Sequence, residues 1–187
     1  KMPESQENIA GAIISCFNMQ PLPIEGGVFV RTYLSAETYP GSSLPSRYHT
    51  VDHAFGTAIL MLFTEEADSF SALHRLKTDE VYHFYLGDPI ELSLLYPDGA
   101  VRTIKMGQAV LKDESVQFTV PAGVWQGSRL CAGGKYALFG TTMAPGYHDS
   151  DFEAAERETL LLQYPHEKER IHALTRPNTA GNSDFEK

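Results

Sequence analysis

The sequence predicts an all-β protein, built as a single antiparallel sandwich or barrel. Between Thr57 and Met143, short apolar stretches recur at close spacing, and nothing with helical period separates them. Turn-forming residues divide these stretches, most clearly Pro97-Asp98-Gly99, which is typical of a tight hairpin. The chain has 187 residues, of which 42% are hydrophobic, so one domain can bury a core without disulfide or metal support.

The first fifty residues are predicted to contain a helix, a strand and a loop. Ile9, Ile13 and Phe17 recur at helical spacing, which indicates an amphipathic helix over about residues 5–18. Residues 24–33 alternate in polarity after Gly26-Gly27, which predicts the first strand. The segment 34–53 is rich in Ser, Gly and Pro and is predicted to be a long loop.

The rest of the chain is predicted to form strands and then helices. Seven further strands are expected, at residues 57–63, 69–75, 81–86, 90–96, 101–106, 116–120 and 136–143. Helical spacing returns at 151–164, ahead of Pro165, and a second short helix is expected at 166–174. The acidic run Asp149, Asp151 and Glu153 favours a helix N-terminus there.

These elements give one domain over residues 1–175. We expect its barrel at about 24–146, its C-terminal helices at about 150–174 and a flexible tail at 176–187, where apolar residues are few.

Charge and cysteine content exclude several classes of function. The formal net charge is −9, so the chain lacks the basic field that nucleic acids or anionic membranes attract. No long apolar run or signal peptide is present, which predicts a soluble, cytoplasmic protein. Cys16 and Cys131 match no CxxC pattern and are expected to be reduced thiols.

Titratable residues are concentrated at one place in the predicted strands. His74, Arg75, Glu80 and His83 fall within ten residues, across one turn between two strands. Because barrel mouths commonly bind small molecules, this cluster predicts a small-molecule pocket, although exposed rim residues would give the same pattern. Aromatic side chains with a polar edge are further candidates to line the pocket, although they equally suit core packing: Tyr33, Trp125 and Tyr147.

Four segments carry a resemblance to a known family. They are EGGVF at 25–29, HRLKTDEVYHFYLG at 74–87, VPAGVWQ at 120–126 and APGY at 144–147. Their order and spacing resemble the cupins, and more narrowly the uncharacterised cupin-5 group of the domain of unknown function 985 type. The resemblance implies a cupin barrel, also called a double-stranded β-helix or jelly-roll barrel. It also implies a homodimer formed by sheet extension, in which a segment such as 26–33 crosses to the partner.

The resemblance also implies where a divalent metal ion would bind. Metal-binding cupins use His-x-His and a Glu from the first motif and a His from the second. Here Leu76 replaces the second His and Gln126 replaces the last one, which leaves His74, Glu80 and Gln126 as the candidate ligands. His83 lies three residues after Glu80 and would face the opposite way in a regular strand, so it joins them only through a bulge.

A pocket that works without metal is the favoured alternative. The chain has a distant likeness to the dTDP-sugar 3,5-epimerases, in which a His removes a proton next to a ketone. That likeness implies His74 as general acid or base and Glu80 as its partner, with Arg75, Gln126 or a tyrosine stabilising the enolate oxygen. We therefore expect an epimerase, isomerase or lyase of a sugar-like or carbonyl compound. A ligand-binding protein without turnover and a metal-dependent enzyme stay open.

Overall fold

A computed structural model describes residues 8–177. The helices are α1 (Ile9–Phe17), α2 (Arg157–Gln163) and α3 (Lys168–Ala173). The strands are β1 (Gln20–Pro21), β2 (Val28–Leu34), β3 (Thr38–Tyr39), β4 (His53–Ala54), β5 (Thr57–Thr64), β6 (Phe70–Arg75), β7 (Glu80–Gly87), β8 (Ile90–Leu95), β9 (Val101–Met106), β10 (Gln117–Val120), β11 (Trp125–Leu130), β12 (Tyr136–Met143) and β13 (Glu153–Ala154).

Two sheets form the barrel. The larger sheet has the strand order β1-β2-β5-β12-β7-β10, and the smaller one has the order β13-β6-β11-β8-β9. The pairings within both sheets are antiparallel. The expected all-β barrel with a short N-terminal helix and two C-terminal helices is therefore confirmed.

Apolar side chains from both sheets fill the interior. Met61, Phe63 and Phe139 of the larger sheet are at most 1% exposed, and they pack in one cluster with Leu92 and Leu94 of the smaller sheet. Burial of these side chains is the main stabilisation that holds the two sheets together.

The helices cover the outer faces of the sheets. Leu160 of α2 and Ile171 of α3 are fully buried, and they pack with Leu73, Leu95 and Trp125 on the smaller sheet. Residues of α1 pack instead against outward-facing side chains of β2, β5 and β12. Both contacts bury apolar faces that would otherwise be open to water.

The strand register brings polar residues together at one end of the barrel. Glu80, the first residue of β7, lies opposite Met143, the last residue of β12. In the smaller sheet, Gln126 at the start of β11 lies opposite His74 near the end of β6. The polar end of the barrel is therefore made where β6 and β12 end and where β7 and β11 begin.

The loop expected at 34–53 contains the short strand β3 and two 3-10 turns, and β1 was not expected either. Two further differences bear on the site. The strand β11 was not expected, because its inward positions Gln126 and Ser128 are polar and interrupt the apolar pattern. The helix expected at 151–164 begins only at Arg157, because the preceding residues form a 3-10 turn and then β13, which pairs with β6. The acidic run does not start a helix: Asp151 pairs with His53, and Glu153 pairs with Arg75.

The termini bear on two further expectations. Most of the tail expected at 176–187 lies outside the described residues, but Arg176 itself packs over the Phe70 ring at 4.0 Å. The segment expected to cross to a partner forms β2, which pairs with β5 of its own chain. The homodimer stays a prediction.

Among the described helices, none combines the length and the apolar character needed to cross a membrane.

Candidate functional site

Three of the candidate residues meet inside the polar end of the barrel. His74, Glu80 and Gln126 are 2%, 7% and 1% exposed, and all three project between the sheets. Hydrogen-bonding groups are normally kept in water or paired when buried, because an unpaired one costs free energy. A cluster of buried polar side chains in one place is therefore a candidate site.

A bulge in β6 sets the direction of His74. The register between β6 and β11 shifts between Gln126 and Ser128, so that Gln126 lies opposite His74 while Ser128 lies opposite Ser71. Ser71 and His74 are three residues apart and would face opposite ways in a regular strand. The bulge turns both towards the Glu25 carboxylate: the Ser71 hydroxyl donates a hydrogen bond to Glu25 Oε1 at 2.7 Å.

Hydrogen bonding fixes the proton arrangement of the His74 ring. Nδ1 lies 2.7 Å from the carbonyl oxygen of Ala72, which can only accept, so Nδ1 carries a hydrogen. Nε2 is then the nitrogen that can take or give a proton. It lies 3.8 Å from Glu25 Oε1, close enough for the carboxylate to stabilise an imidazolium.

The Glu25 carboxylate is held by a tight turn ahead of β2. Gly26 has φ +109°, and a Cβ there would collide with the Phe70 carbonyl oxygen and with Arg176. The Arg176 guanidinium donates to the carbonyl oxygens of Glu25 at 2.8 Å and of Asp68 at 2.9 Å. The backbone N–H of Ala72 also donates to the Glu25 carbonyl, at 2.8 Å. The far end of the chain therefore helps to position this carboxylate.

Gln126 is fixed by a buried tyrosine. The Tyr82 hydroxyl donates to Gln126 Oε1 at 2.7 Å, and both side chains are about 1% exposed. Burial, and then the nearby Glu80 and Glu25 carboxylates, raise the pKa of Tyr82 well above its usual value. Tyr82 therefore stays a neutral phenol and can act only as a hydrogen-bonding group.

Glu80 differs from an exposed carboxylate in its proton affinity. Burial raises its pKa, although the neighbouring His74 and the side chains of Thr141 and Gln126 act in the opposite direction. Within the described residues, its Oε2 atom is buried without a hydrogen-bond partner, and so is Oγ of Ser128. An unpaired, buried polar atom of Glu80 near His74 is the signature expected of a site that holds a polar ligand or water.

The structure does not bring His83 to this cluster. His83 lies on the outer face of the larger sheet, where Nε2 is 2.9 Å from Thr142 Oγ1 and Nδ1 is 3.2 Å from Gln117 Nε2. The bulge between β7 and β12 comes after His83, between Phe84 and Leu86, so it does not turn His83 inward. Regular alternation after Glu80 explains its position.

Arg75 and Trp125 lie on the outer side of the smaller sheet. The Arg75 guanidinium stacks on the Trp125 ring at 4.5 Å and forms two hydrogen bonds with the Glu153 carboxylate, at 2.7 and 3.0 Å. Trp125 packs with the residues of α2 and α3. Neither side chain reaches the His74 cluster from this position.

The last two candidates lie near the rim. Tyr33 in β2 is 54% exposed. Tyr147 follows β12, and its backbone N–H donates to Thr57 Oγ1 at 2.9 Å. Burial, then Asp149 and, more weakly, Glu25 raise the pKa of the Tyr147 phenol.

The donor set does not fit the metal centre that the resemblance implies. Leu76 is an apolar side chain, and the Gln126 carbonyl oxygen already accepts from Tyr82. Across residues 8–177, no three His, Cys, Asp or Glu side chains are grouped so as to hold a metal ion. We therefore derive no chemical step through a metal.

Comparison with known proteins agrees with this architecture. The family model described as Cupin superfamily (DUF985) matches residues 11–155, which is most of the chain. The chain belongs to this cupin family. No protein with a curated functional description matches it.

Solved structures show the same fold. A hypothetical protein from Leishmania major is 26% identical and superposes with a TM-score of 0.79, over 90% of this chain and 99% of that one. A protein from Shewanella oneidensis is 29% identical with a TM-score of 0.77, over 90% and 98% of the two chains. A dTDP sugar isomerase from Desulfovibrio desulfuricans is only 16% identical, with a TM-score of 0.47 over 68% and 83% of the two chains, a likeness too low to support either fold or activity.

Three residues of the site were not among the candidates. Glu25 stood in the EGGVF motif, but nothing local indicates that its carboxylate faces His74. Tyr82 could have been found, since it is two residues from Glu80 and shares its face of β7. Ser128 could not, because the strand that carries it was not expected.

Proposed function

We propose that this cupin binds a small polar carbonyl or sugar-like compound at the polar end of its barrel and moves a proton through His74. Epimerases, isomerases and lyases share this step. The observation that supports the proposal best is the hydrogen bonding of the His74 ring. Its Nδ1 hydrogen is donated to the Ala72 carbonyl oxygen, and its Nε2 atom lies near the Glu25 carboxylate. This is the arrangement that a general base needs.

The first step is removal of a proton from a carbon next to a carbonyl group. His74 Nε2 takes the proton, and the C–H bonding electrons move to the carbonyl oxygen, which gives an enolate. The imidazolium that forms lies 3.8 Å from Glu25 Oε1, which lowers the free energy of the charged ring. Return of the proton to the other face of the carbon gives an epimer, and return to a neighbouring carbon gives an isomer.

Glu80 is the group that stabilises the enolate oxygen in this proposal. Its raised pKa favours the neutral carboxylic acid, which can donate a hydrogen bond as an ionised carboxylate cannot. Its Oε2 atom has no partner among the described residues and is therefore free to meet the ligand. Gln126, held by Tyr82, serves as a fixed polar anchor.

The test is the exchange of deuterium from D₂O into candidate substrates. Proton NMR measures the exchange as loss of the substrate C–H signal. The panel contains 2-keto acids, ketoses and aldoses. We expect exchange with at least one member and a loss of about 100-fold or more in His74→Asn, as for removal of a general base. His83→Asn is the matched control, since that imidazole lies on the outer face, and it should leave the rate unchanged.

No exchange with any member of the panel would contradict the enzymatic proposal. If ligand-observed NMR then showed a panel member binding, with binding lost in His74→Asn, the protein would be a binding cupin without turnover.

A further inference from the structure

The segment 149–154 follows the barrel and lies directly beside His74. We call it the strap. Its last two residues form β13, in which Ala154 lies opposite His74 and Glu153 lies opposite Arg75. The Phe152 ring stacks on the His74 imidazole, with ring centres 5.2 Å apart and planes inclined by 20°. An offset stack of this kind favours one orientation of both rings.

A hydrogen-bonded pair of side chains holds the strap on each side of Phe152. On one side, His53 Nε2 lies 2.7 Å from Asp151 Oδ2, and both side chains are fully buried. On the other side, Arg75 pairs with Glu153, and these side chains are 40% and 55% exposed. Exposed pairs contribute little to stability, whereas removing one partner of a buried pair is costly. The buried pair is therefore the stronger attachment.

The His53 ring is itself fixed from several directions. Its Nδ1 lies 2.7 Å from the Val51 carbonyl oxygen, which can only accept, so Nδ1 carries a hydrogen; a second hydrogen lies between Nε2 and Asp151 Oδ2, which are also 2.7 Å apart. The Tyr48 ring meets it edge-on at 4.8 Å, and the His148 ring lies 5.5 Å away on the strap side. His53, at the start of β4, therefore holds Asp151 in a fixed position.

Phe152 also lines a surface groove of about 530 Å³, together with Arg47, Arg75 and Lys77. The same ring therefore contacts the groove and the His74 imidazole.

We propose that Phe152 is a positioning residue that orients the His74 ring and closes it off from the groove, and that the His53–Asp151 pair holds Phe152 in place. This inference rests on the proposed role of His74. The exposed Arg75–Glu153 pair is the side of the strap that releases first, because water competes for both of its charges.

The test measures the reactivity of His74 Nε2 towards diethyl pyrocarbonate in the full chain, with modified peptides quantified by mass spectrometry. His49 is exposed and serves as the internal reference. His83 is partly buried, so its rate shows whether the barrel as a whole has loosened. In the unmodified protein we expect His74 to react much more slowly than His49. In Phe152→Ala and Asp151→Ala, its rate should rise by more than about tenfold, while the His83 rate stays the same.

Conservative variants separate positioning from a general loss of packing. Phe152→Tyr keeps the aromatic face, and Asp151→Asn lets an amide donate to Nε2 of a neutral His53, so both should stay within about threefold of the unmodified rate. Glu153→Gln, which removes the exposed pair, is the matched control for Asp151→Ala and should also stay within about threefold.

Equal His74 rates in the unmodified protein and in Phe152→Ala would overturn the proposal, and so would an unmodified His74 as reactive as His49. Phe152→Ala removes no hydrogen bond, so it decides the question even if Asp151→Ala does not fold. No substrate is used, so a failure here is distinct from an absence of exchange in the substrate panel.

Discussion

Oε1 of Glu25 lies 3.8 Å from Nε2 of His74, although the two residues belong to different elements of the fold. The carboxylate also accepts a hydrogen bond from the Ser71 hydroxyl at 2.7 Å. The pair therefore places a carboxylate beside the nitrogen that would take the proton, while the Ala72 carbonyl oxygen holds Nδ1 on the other side of the ring.

The first prediction concerns this pair. Glu25→Gln keeps an acceptor for the Ser71 hydroxyl but removes the charge, so it should slow proton exchange by roughly 10- to 1,000-fold through loss of imidazolium stabilisation. The rate is measured by NMR with whichever compound the panel identifies. Glu153→Gln, which neutralises an exposed carboxylate, is the control. An unchanged rate in Glu25→Gln would remove Glu25 from the mechanism.

The second prediction is a pH dependence of stability caused by Glu80. Its pKa is raised in the folded state, so folding favours the protonated form, and this contribution is full below the unfolded pKa and is lost as pH rises through the folded one. Glu80→Gln cannot ionise. Its stability relative to the unmodified protein should therefore increase with pH, by about 1.4 kcal/mol for each unit between the two pKa values.

Urea denaturation at a series of pH values between 4 and 8 measures this difference. Glu91→Gln on the exposed side of β8 is a suitable control, because its carboxylate pairs with Arg129 in water. A stability difference for Glu80→Gln that falls as pH rises would show that Glu80 is preferentially ionised in the folded protein.

The third prediction concerns the buried hydrogen bond between Tyr82 and Gln126. Tyr82→Phe removes the donor and leaves Gln126 Oε1 buried without it, so unfolding free energy should fall by about 1–3 kcal/mol. Tyr85→Phe is the matched control in the same strand, since Tyr85 is 41% exposed and faces outward. It should change stability by less than about 0.5 kcal/mol. Equal losses in the two variants would count against the pairing.

The fourth prediction concerns Arg176. Arg176→Ala removes charged hydrogen bonds to the carbonyls of Glu25, Asp68 and Phe70, and should lower the unfolding free energy by roughly 2–3 kcal/mol. Arg176→Lys should recover only part of this loss, because one ammonium cannot span the same set of acceptors. Thermal unfolding of both variants measures the effect, with Arg129→Ala as an exposed control. A loss no larger than that of the control would mean that Arg176 does not secure the turn.

Sequence periodicity was enough to predict most of the barrel. The strands at 101–106 and 136–143 have the bounds expected, because their turns are marked by Gly and Pro and their apolar residues recur regularly. The same periodicity placed Glu80 and His83 on opposite faces of β7, and the structure has this arrangement.

The site was less predictable, because it depends on breaks in that periodicity and on contacts between distant segments. Ser71 and His74 face the same way only because β6 has a bulge, which the spacing of the two residues does not show. The strand β11 was not predicted, because its inward residues Gln126 and Ser128 are polar and interrupt the apolar pattern expected of a strand. Asp151 and Glu153 appeared suited to a helix start because their partners, His53 and Arg75, are remote in sequence.

The Arg176 contact also bears on the order in which the molecule is completed during synthesis. The guanidinium binds the Glu25 carbonyl from 151 positions further along the chain. Translation proceeds from the N-terminus, and a contact between segments so far apart has to wait for the later one to emerge. The barrel strands are all synthesised before Arg176, so a nascent chain can assemble its scaffold while the turn that carries Glu25 still lacks this support. The turn that carries Glu25 would then gain this support only after the barrel strands have been synthesised.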